Sequence, residues 1–165
     1  MQENEVVISL GTNLGDKLKN LKNALSNIEG FGQILNKSRI FYSDPWGYDS
    51  ENEFLNMGLV IKTSLEPMQL LKKLKNIEKQ MGRGPKMVQS YKDRIIDLDI
   101  LIYSGITIDN EELSIPHPKI KERKFSLLII KDLFENEFIP DLNDFPDNML
   151  FKCIDESNVV LFNEK

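Results

Sequence analysis

Two kinds of hydrophobic periodicity alternate along this chain, and each predicts an element. Val6 to Leu10 is a short apolar run closed by Gly11 and reads as a buried strand. Gly11-Thr12-Asn13-Leu14-Gly15-Asp16 reads as a turn, with Asp16 placed to cap a helix. Leu18, Leu21, Ala24, Leu25 and Ile28 recur at helical spacing, and Gly30 and Gly32 end that helix. Ile34 to Tyr42 predicts a second strand, broken by Ser43-Asp44-Pro45-Trp46-Gly47 and a polar loop to Glu53. Phe54 to Thr63 predicts a third, with Leu55, Met57, Leu59 and Ile61 on its apolar face. A helix covers Ser64 to Met81, with Pro67 in its first turn and a stripe of Leu70, Leu71, Leu74, Ile77 and Met81. The fourth strand is Ile95 to Tyr103. This β-α-β-β-α-β order predicts an α+β, ferredoxin-like fold. Ser114 to Pro118, a helix-like run from Phe125 to Glu135 and a polar tail follow. No repeat or linker interrupts residues 1–165, which are expected to form one domain.

The strand Arg94 to Tyr103, RIIDLDILIY, carries the sharpest signal. Alternation sends Ile96, Leu98, Ile100 and Ile102 to one side, and Asp97, Asp99, Leu101 and Tyr103 to the other. Carboxylates inside so apolar a strand are costly unless they meet cations or water. Hard oxygen ligands side by side suit Mg²⁺ with bound phosphates completing its shell. Two such ions bridged by the pair can clamp a transferring phosphoryl group. The plain alternative is a solvated strand end. If the helices cover the Leu55-Met57-Leu59-Ile61 face, then Phe54, Asn56, Asp97 and Asp99 share the opposite, helix-free face. An aromatic ring and an amide two residues apart can hold a flat heterocycle by its face and its edge.

Composition narrows the class. With 165 residues, a net charge of −5, one cysteine and one histidine, the chain is a poor candidate for nucleic-acid binding, an internal disulfide or structural zinc. No apolar run approaches a membrane span, and MQENEVV lacks a signal peptide's basic and apolar regions, so a cytoplasmic protein without a membrane partner is expected. Any phosphate site must be a local basic patch. The Gly82 to Asp93 loop, with Arg83, Lys86 and Lys92, is a candidate phosphate cover, expected to move without ligand. It is not a Walker loop, since GxxxxGK[ST] is absent. His117 sits between Pro116 and Pro118, a rigid setting for a donor to a phosphate oxygen, with Arg123 and Phe125 close behind.

Together these segments resemble the 6-hydroxymethyl-7,8-dihydropterin pyrophosphokinase family of folate synthesis. GTNLGD is similar to G-S-N-L-G-D, FYSDPWG to F-Y-x-T-x-P-x-G, DRIIDLDIL to P-R-T-I-D-L-D-I-L, and IPHPKIKERKF to V-P-H-P-x-x-x-x-R-x-F; FLN and IEKQMGR match too. The resemblance implies transfer of pyrophosphate from MgATP to the pterin hydroxymethyl group, with release of AMP. It implies two Mg²⁺ ions on Asp97 and Asp99, with Arg94 and Arg83 completing the catalytic set. Phe54 and Phe125 would sandwich the pterin, Asn56 would read its edge, and Ser43, Asp44 and Trp46 would lie beside it. Glu78, Arg83, Tyr91, Arg94, His117 and Arg123 would face ATP. Separately from the resemblance, a monomer is expected. Three departures stand out. The 82–93 loop is one residue longer than the common form, Tyr91 stands where a tryptophan is usual, and Pro85-Lys86 stands where a second arginine is frequent. The rival reading is a regulatory ferredoxin-like module that binds a small ligand without turnover; it does not explain paired carboxylates beside Arg94.

Overall fold

The computed structural model describes residues 2–82 and 92–163. In chain order its elements are β1 (Asn4–Thr12), α1 (Lys17–Ile28), β2 (Gln33–Lys37), β3 (Phe41–Ser43), β4 (Phe54–Thr63) and α2 (Pro67–Gln80). There follow β5 (Asp97–Tyr103), β6 (Ile108–Asp109), β7 (Ser114–Ile115), α3 (Lys124–Phe134), α4 (Pro146–Lys152) and β8 (Val159–Leu161). The main sheet runs β5-β1-β4-β3-β8, with β2 also on β4 and every pairing antiparallel. This is the α+β, ferredoxin-like arrangement. The caps are the predicted ones: Asp16 accepts from the Lys19 amide at 3.0 Å, and Pro67 opens α2. Gln69 accepts from the Glu66 amide at 3.0 Å, half of a reciprocal capping box.

One core lies between the sheet and α1 and α2. Val6, Ile8 and Leu10 of β1 and Leu55, Met57, Leu59 and Ile61 of β4 meet the helical residues Leu21, Ala24, Ile28, Leu70, Leu74 and Ile77 there. Each fully buried aliphatic side chain contributes about 1.5–3 kcal/mol relative to exposure.

The opposite face departs from expectation, because it is not helix-free. α3 packs on it, and Leu127, Ile129, Ile130 and Leu133 join Val7, Phe41, Val60, Leu101 and Ile102 in a second core. Gly58 makes the close approach possible: a Cβ there would lie 2.2 Å from Ile129 Cγ2. Strand parity also slips. Val7 pairs with Ile102 but Ile8 pairs with Ile100, so Leu101 is an extra residue in β5. Leu101 and Ile102 therefore both enter the second core, while Tyr103 turns under the helices and its hydroxyl donates to Leu65 O. The single strand expected at Ile34 to Tyr42 is two, because Ser38 interrupts it and its hydroxyl accepts from the Gly58 amide at 2.8 Å. Gly11 and Thr12, expected in a turn, extend β1. The polar tail is folded: β8 pairs with β3, and Asp155 accepts from the Lys124 amide at 2.9 Å at the start of α3. Burial opposes the Asp155 charge, but amide donors from Lys124 and Ser157 outweigh it and lower its pKa.

Candidate active site

α3 covers only half of its sheet face. Strand register shows what the other half presents. One row across the sheet reads Phe41, Asn56, Gly11, Asp97, and the next reads Gly58, Ser9, Asp99. Neighbouring strands lie about 4.8 Å apart, so the Asn56 and Asp97 backbones are roughly 10 Å apart across Gly11. Of these residues Asn56, Gly11, Asp97, Ser9 and Asp99 floor a cleft of about 500 Å³, counting its solvent-open part. Ser43, Asp44, Trp46, Tyr48 and Phe54 form one side of its lining; Arg94, Arg123 and Phe125 complete it. A cavity of about 1200 Å³ by the same measure lies near Val7, Val60 and Phe138. It is larger, but it lacks the paired carboxylates and guanidinium groups, and chemistry outweighs volume in choosing between them.

The lining groups largely hold one another. Asn56 is 3% exposed and donates through Nδ2 to Ser43 Oγ at 2.7 Å. Its Oδ1 lies over Gly11, where a Cβ would come within 3.1 Å of it and 3.5 Å of the Phe54 ring. The missing side chain at Gly11 thus keeps the floor open. Arg94 donates to Asp97 Oδ2 and to Lys92 O at 2.9 and 2.8 Å, and its guanidinium lies 5.7 Å from the Phe54 ring centre. Arg123 stands 4.6 Å from the Trp46 ring centre and 6.0 Å from that of Phe125. Arg123 Nε is buried and, among the described residues, has no hydrogen-bond acceptor. A buried donor in that state favours an anionic oxygen in the cleft. Asp44 contributes less of its polarity to the cleft, because Asn158 engages both its amide and its carboxylate.

Ten of the residues singled out by sequence therefore converge on one cleft: Ser43, Asp44, Trp46, Phe54, Asn56, Arg94, Asp97, Asp99, Arg123 and Phe125. Glu78 and His117 are not in its lining. Both attach to the outer edge of β5 instead. Glu78, 4% exposed, accepts from the Leu98 amide at 2.8 Å, and the His117 amide donates to Leu101 O at 2.8 Å. His117 Nδ1 accepts from the Lys119 amide at 3.1 Å, which places the ring proton on Nε2. Arg83, Lys86 and Tyr91 lie outside the described residues, as does the loop motion expected of them. Ser9, Leu10, Gly11 and Tyr48 line the cleft without having been singled out as site residues. For Gly11 a signal existed, since a glycine within a strand marks close approach of another group.

The sequence profile described as 7,8-dihydro-6-hydroxymethylpterin-pyrophosphokinase (HPPK) matches residues 7–135. A 2-amino-4-hydroxy-6-hydroxymethyldihydropteridine pyrophosphokinase from Aquifex aeolicus is 35% identical over 156 residues, covering 90% of this chain and 96% of that protein. The folic acid synthesis protein FOL1 of Dictyostelium discoideum is 35% identical over 158 residues; these span 94% of this chain but only 23% of that protein. Among solved structures, Plasmodium falciparum HPPK-DHPS wild type with SDX-DHP superposes with a TM-score of 0.72 at 19% identity. That match covers 92% of this chain and 44% of the Plasmodium chain, and at such identity it speaks to the fold.

Proposed function

The chain belongs to the 7,8-dihydro-6-hydroxymethylpterin-pyrophosphokinase family, the pyrophosphokinases of folate biosynthesis, and on that footing we propose how its cleft carries out the transfer from ATP to 6-hydroxymethyl-7,8-dihydropterin. The observation that carries the reading is the division of one sheet face. Rings and an amide stand at the Asn56 end, and two carboxylates with two guanidinium groups stand at the Asp97 end and along the walls.

The pterin lies between Phe54 and Phe125, its face against each ring. Asn56 Nδ2 is committed to Ser43, so Oδ1 and the remaining N–H read the pterin edge. The triphosphate runs from the Asp97 end toward the outer edge of β5, where Glu78 and His117 are attached. Asp97 and Asp99 fit Mg²⁺. They are hard, half-buried oxygen donors two residues apart on one face, and phosphate oxygens and water would complete the shell. Two ions held by this pair would polarise the phosphates and screen the growing charge.

Arg94 and Arg123 both bring donors to the phosphates, and Arg123 Nε gains the acceptor it lacks. The pterin hydroxymethyl oxygen attacks the β-phosphorus. Its bond to phosphorus forms as the bond from that phosphorus to the α-bridging oxygen breaks. AMP leaves with the electron pair, and the alcohol proton passes to water. The stacked pterin and the clamped phosphates make attack effectively unimolecular. The described chain acts as one pyrophosphokinase domain, and no described helix is long and apolar enough to cross a membrane.

Coupled measurement of AMP release from MgATP, with and without 6-hydroxymethyl-7,8-dihydropterin, tests the reading. AMP formed in step with pterin consumption supports it. ADP instead of AMP, or binding of both substrates without turnover, would refute it and favour the ligand-binding module.

A further inference from the structure

The cleft's polar floor leaves one strong cluster unexplained, at the mouth between the 44–53 loop and the start of the aspartate strand. Asp93 is neither a lining residue nor a partner of the carboxylate pair. Its side chain nevertheless collects four donors from two separate segments. Oδ1 accepts from Asn13 Nδ2 at 2.8 Å and Tyr48 Oη at 3.0 Å. Oδ2 accepts from Asn52 Nδ2 at 2.6 Å and Ser50 Oγ at 2.9 Å. The Asn52 amide, then the Ser50 hydroxyl, with Asn13 and Tyr48 behind them, hold this carboxyl down to a pKa of about 2. It is therefore a full anion at neutral pH. The family pattern that this stretch resembles, P-R-T-I-D-L-D-I-L, carries proline where this chain has Asp93.

We propose that Asp93 is a positioning residue that latches the 44–53 loop onto the aspartate strand and so sets the pterin half of the cleft. The inference rests on the reading of the cleft given above. Tyr48 lines the cleft, and Trp46 two residues earlier stands against Arg123. The loop reaches these positions as an excursion of polar residues between β3 and β4, and Tyr48, Ser50 and Asn52 all converge on one carboxylate. The Arg94 backbone is secured by Asn13 and does not depend on the Asp93 carboxylate. Its amide donates to Asn13 Oδ1 at 2.7 Å, and its carbonyl accepts from the Asn13 amide at 3.1 Å. The two halves of the site share Asn13, whose Nδ2 also reaches Tyr48 Oη and Asn52 O at 3.1 Å each, while the Asp93 carboxylate is the anchor that the Tyr48, Ser50 and Asn52 side chains use. Removing the Asp93 carboxylate takes four hydrogen bonds from this junction and loosens the loop, but leaves the Arg94 backbone clamped by Asn13, so pterin binding suffers and nucleotide binding does not.

The test compares wild type, Asp93→Ala, Asn52→Ala and the double variant by calorimetry. The probes are MgATP's α,β-methylene analogue, which cannot be cleaved at the bond that breaks, and 6-hydroxymethyl-7,8-dihydropterin added to the analogue complex. Asn52 is exposed and outside the cleft lining, so Asn52→Ala is a mild change should Asp93→Ala fold poorly. Asp93→Ala is expected to raise the pterin Kd at least about tenfold, and Asn52→Ala about threefold, with analogue Kd within about twofold of wild type. The effect of Asn52→Ala should vanish in the Asp93→Ala background, because both remove the same contact. Unchanged pterin affinity in Asn52→Ala and Asp93→Ala overturns the latch, as does equal weakening of nucleotide and pterin, or additive losses. Failure of the wild type itself to bind pterin would instead overturn the reading of the cleft.

Discussion

Gly11→Ala separates function from stability more cleanly than any other single change. Gly11 lies between Asn56 and Asp97 in its row and is not one of the glycines with positive φ, so alanine fits its backbone. In a strand, alanine even recovers up to about 1 kcal/mol of the conformational entropy that glycine loses on folding. The new methyl, however, would sit 3.1 Å from Asn56 Oδ1 and 3.5 Å from Phe54 Cδ1. Asn56 has little room to retreat, being 3% exposed and bonded to Ser43 at 2.7 Å. The methyl both lifts the floor beneath the pterin and crowds the oxygen that reads its edge. Loss of one well-placed hydrogen bond costs about 1–3 kcal/mol, which corresponds to a roughly five- to 150-fold rise in pterin Kd. Nucleotide affinity should be nearly unchanged. Thermal unfolding and titration of pterin into the nucleotide-analogue complex measure the two quantities side by side. Wild-type pterin affinity in Gly11→Ala would show that the floor does not touch the substrate. A large fall in Tm would show that Gly11 serves packing, and either result refutes the reasoning.

Asp97→Asn and Asp99→Asn should each fold normally and lower turnover by at least about 10², the scale of one lost electrostatic stabiliser; near-normal rates at limiting Mg²⁺ would exclude ligand roles. Gly58→Ala places a methyl 2.2 Å from Ile129 Cγ2, so α3 must shift and stability should fall by about 1–3 kcal/mol in urea titrations. An unchanged midpoint would mean that the helix yields freely. The Asp93 carboxyl has its pKa lowered from 3.8 to about 2. Its stabilising share is therefore complete above the unfolded value and is lost as pH falls through about 2, because the unfolded chain takes up the proton first. After allowance for solvent screening the share is about 1 kcal/mol, and the stabilities of wild type and Asp93→Asn should converge between pH 5 and pH 2. Parallel curves would contradict the four-donor arrangement.

Much of this fold was visible as periodicity, and the failures have physical causes. β4 was legible from Phe54 to Thr63 because one face is apolar throughout and the register could not slip without exposing it. The convergence of Phe54, Asn56, Asp97 and Asp99 followed from the same parity. What parity missed was the second layer. The run after Phe125 reads as a helix, but nothing in its own stripe says which sheet face receives it. Gly58 held that information, since a glycine on the supposedly open face of a strand marks an approaching neighbour. Asp93 was unreadable for another reason. Its donors are 41 to 80 residues away in sequence and meet only after the sheet has formed.

The misread end of β5 explains why the site stands where it does. Strict alternation would carry the Asp97 and Asp99 face on through Leu101 to Tyr103, giving the second core one aliphatic group there and burying Ile102 on the other side. The extra residue at Leu101 changes this. Two adjacent aliphatic side chains, Leu101 and Ile102, now lie under α3, and Tyr103 is sent to the first core, where its hydroxyl has acceptor and donor partners in Leu65 and Asn4. β5 is thus dry on both faces beyond the bulge and polar on one face before it. α3 docks over the dry end, and its first turn stops above the polar end, which is how Arg123 and Phe125 come to face Asp99 and Asp97 across the cleft. The bulge therefore fixes the border between core and chemistry. The carboxylates escape burial because one inserted residue lets the helix satisfy itself without covering them.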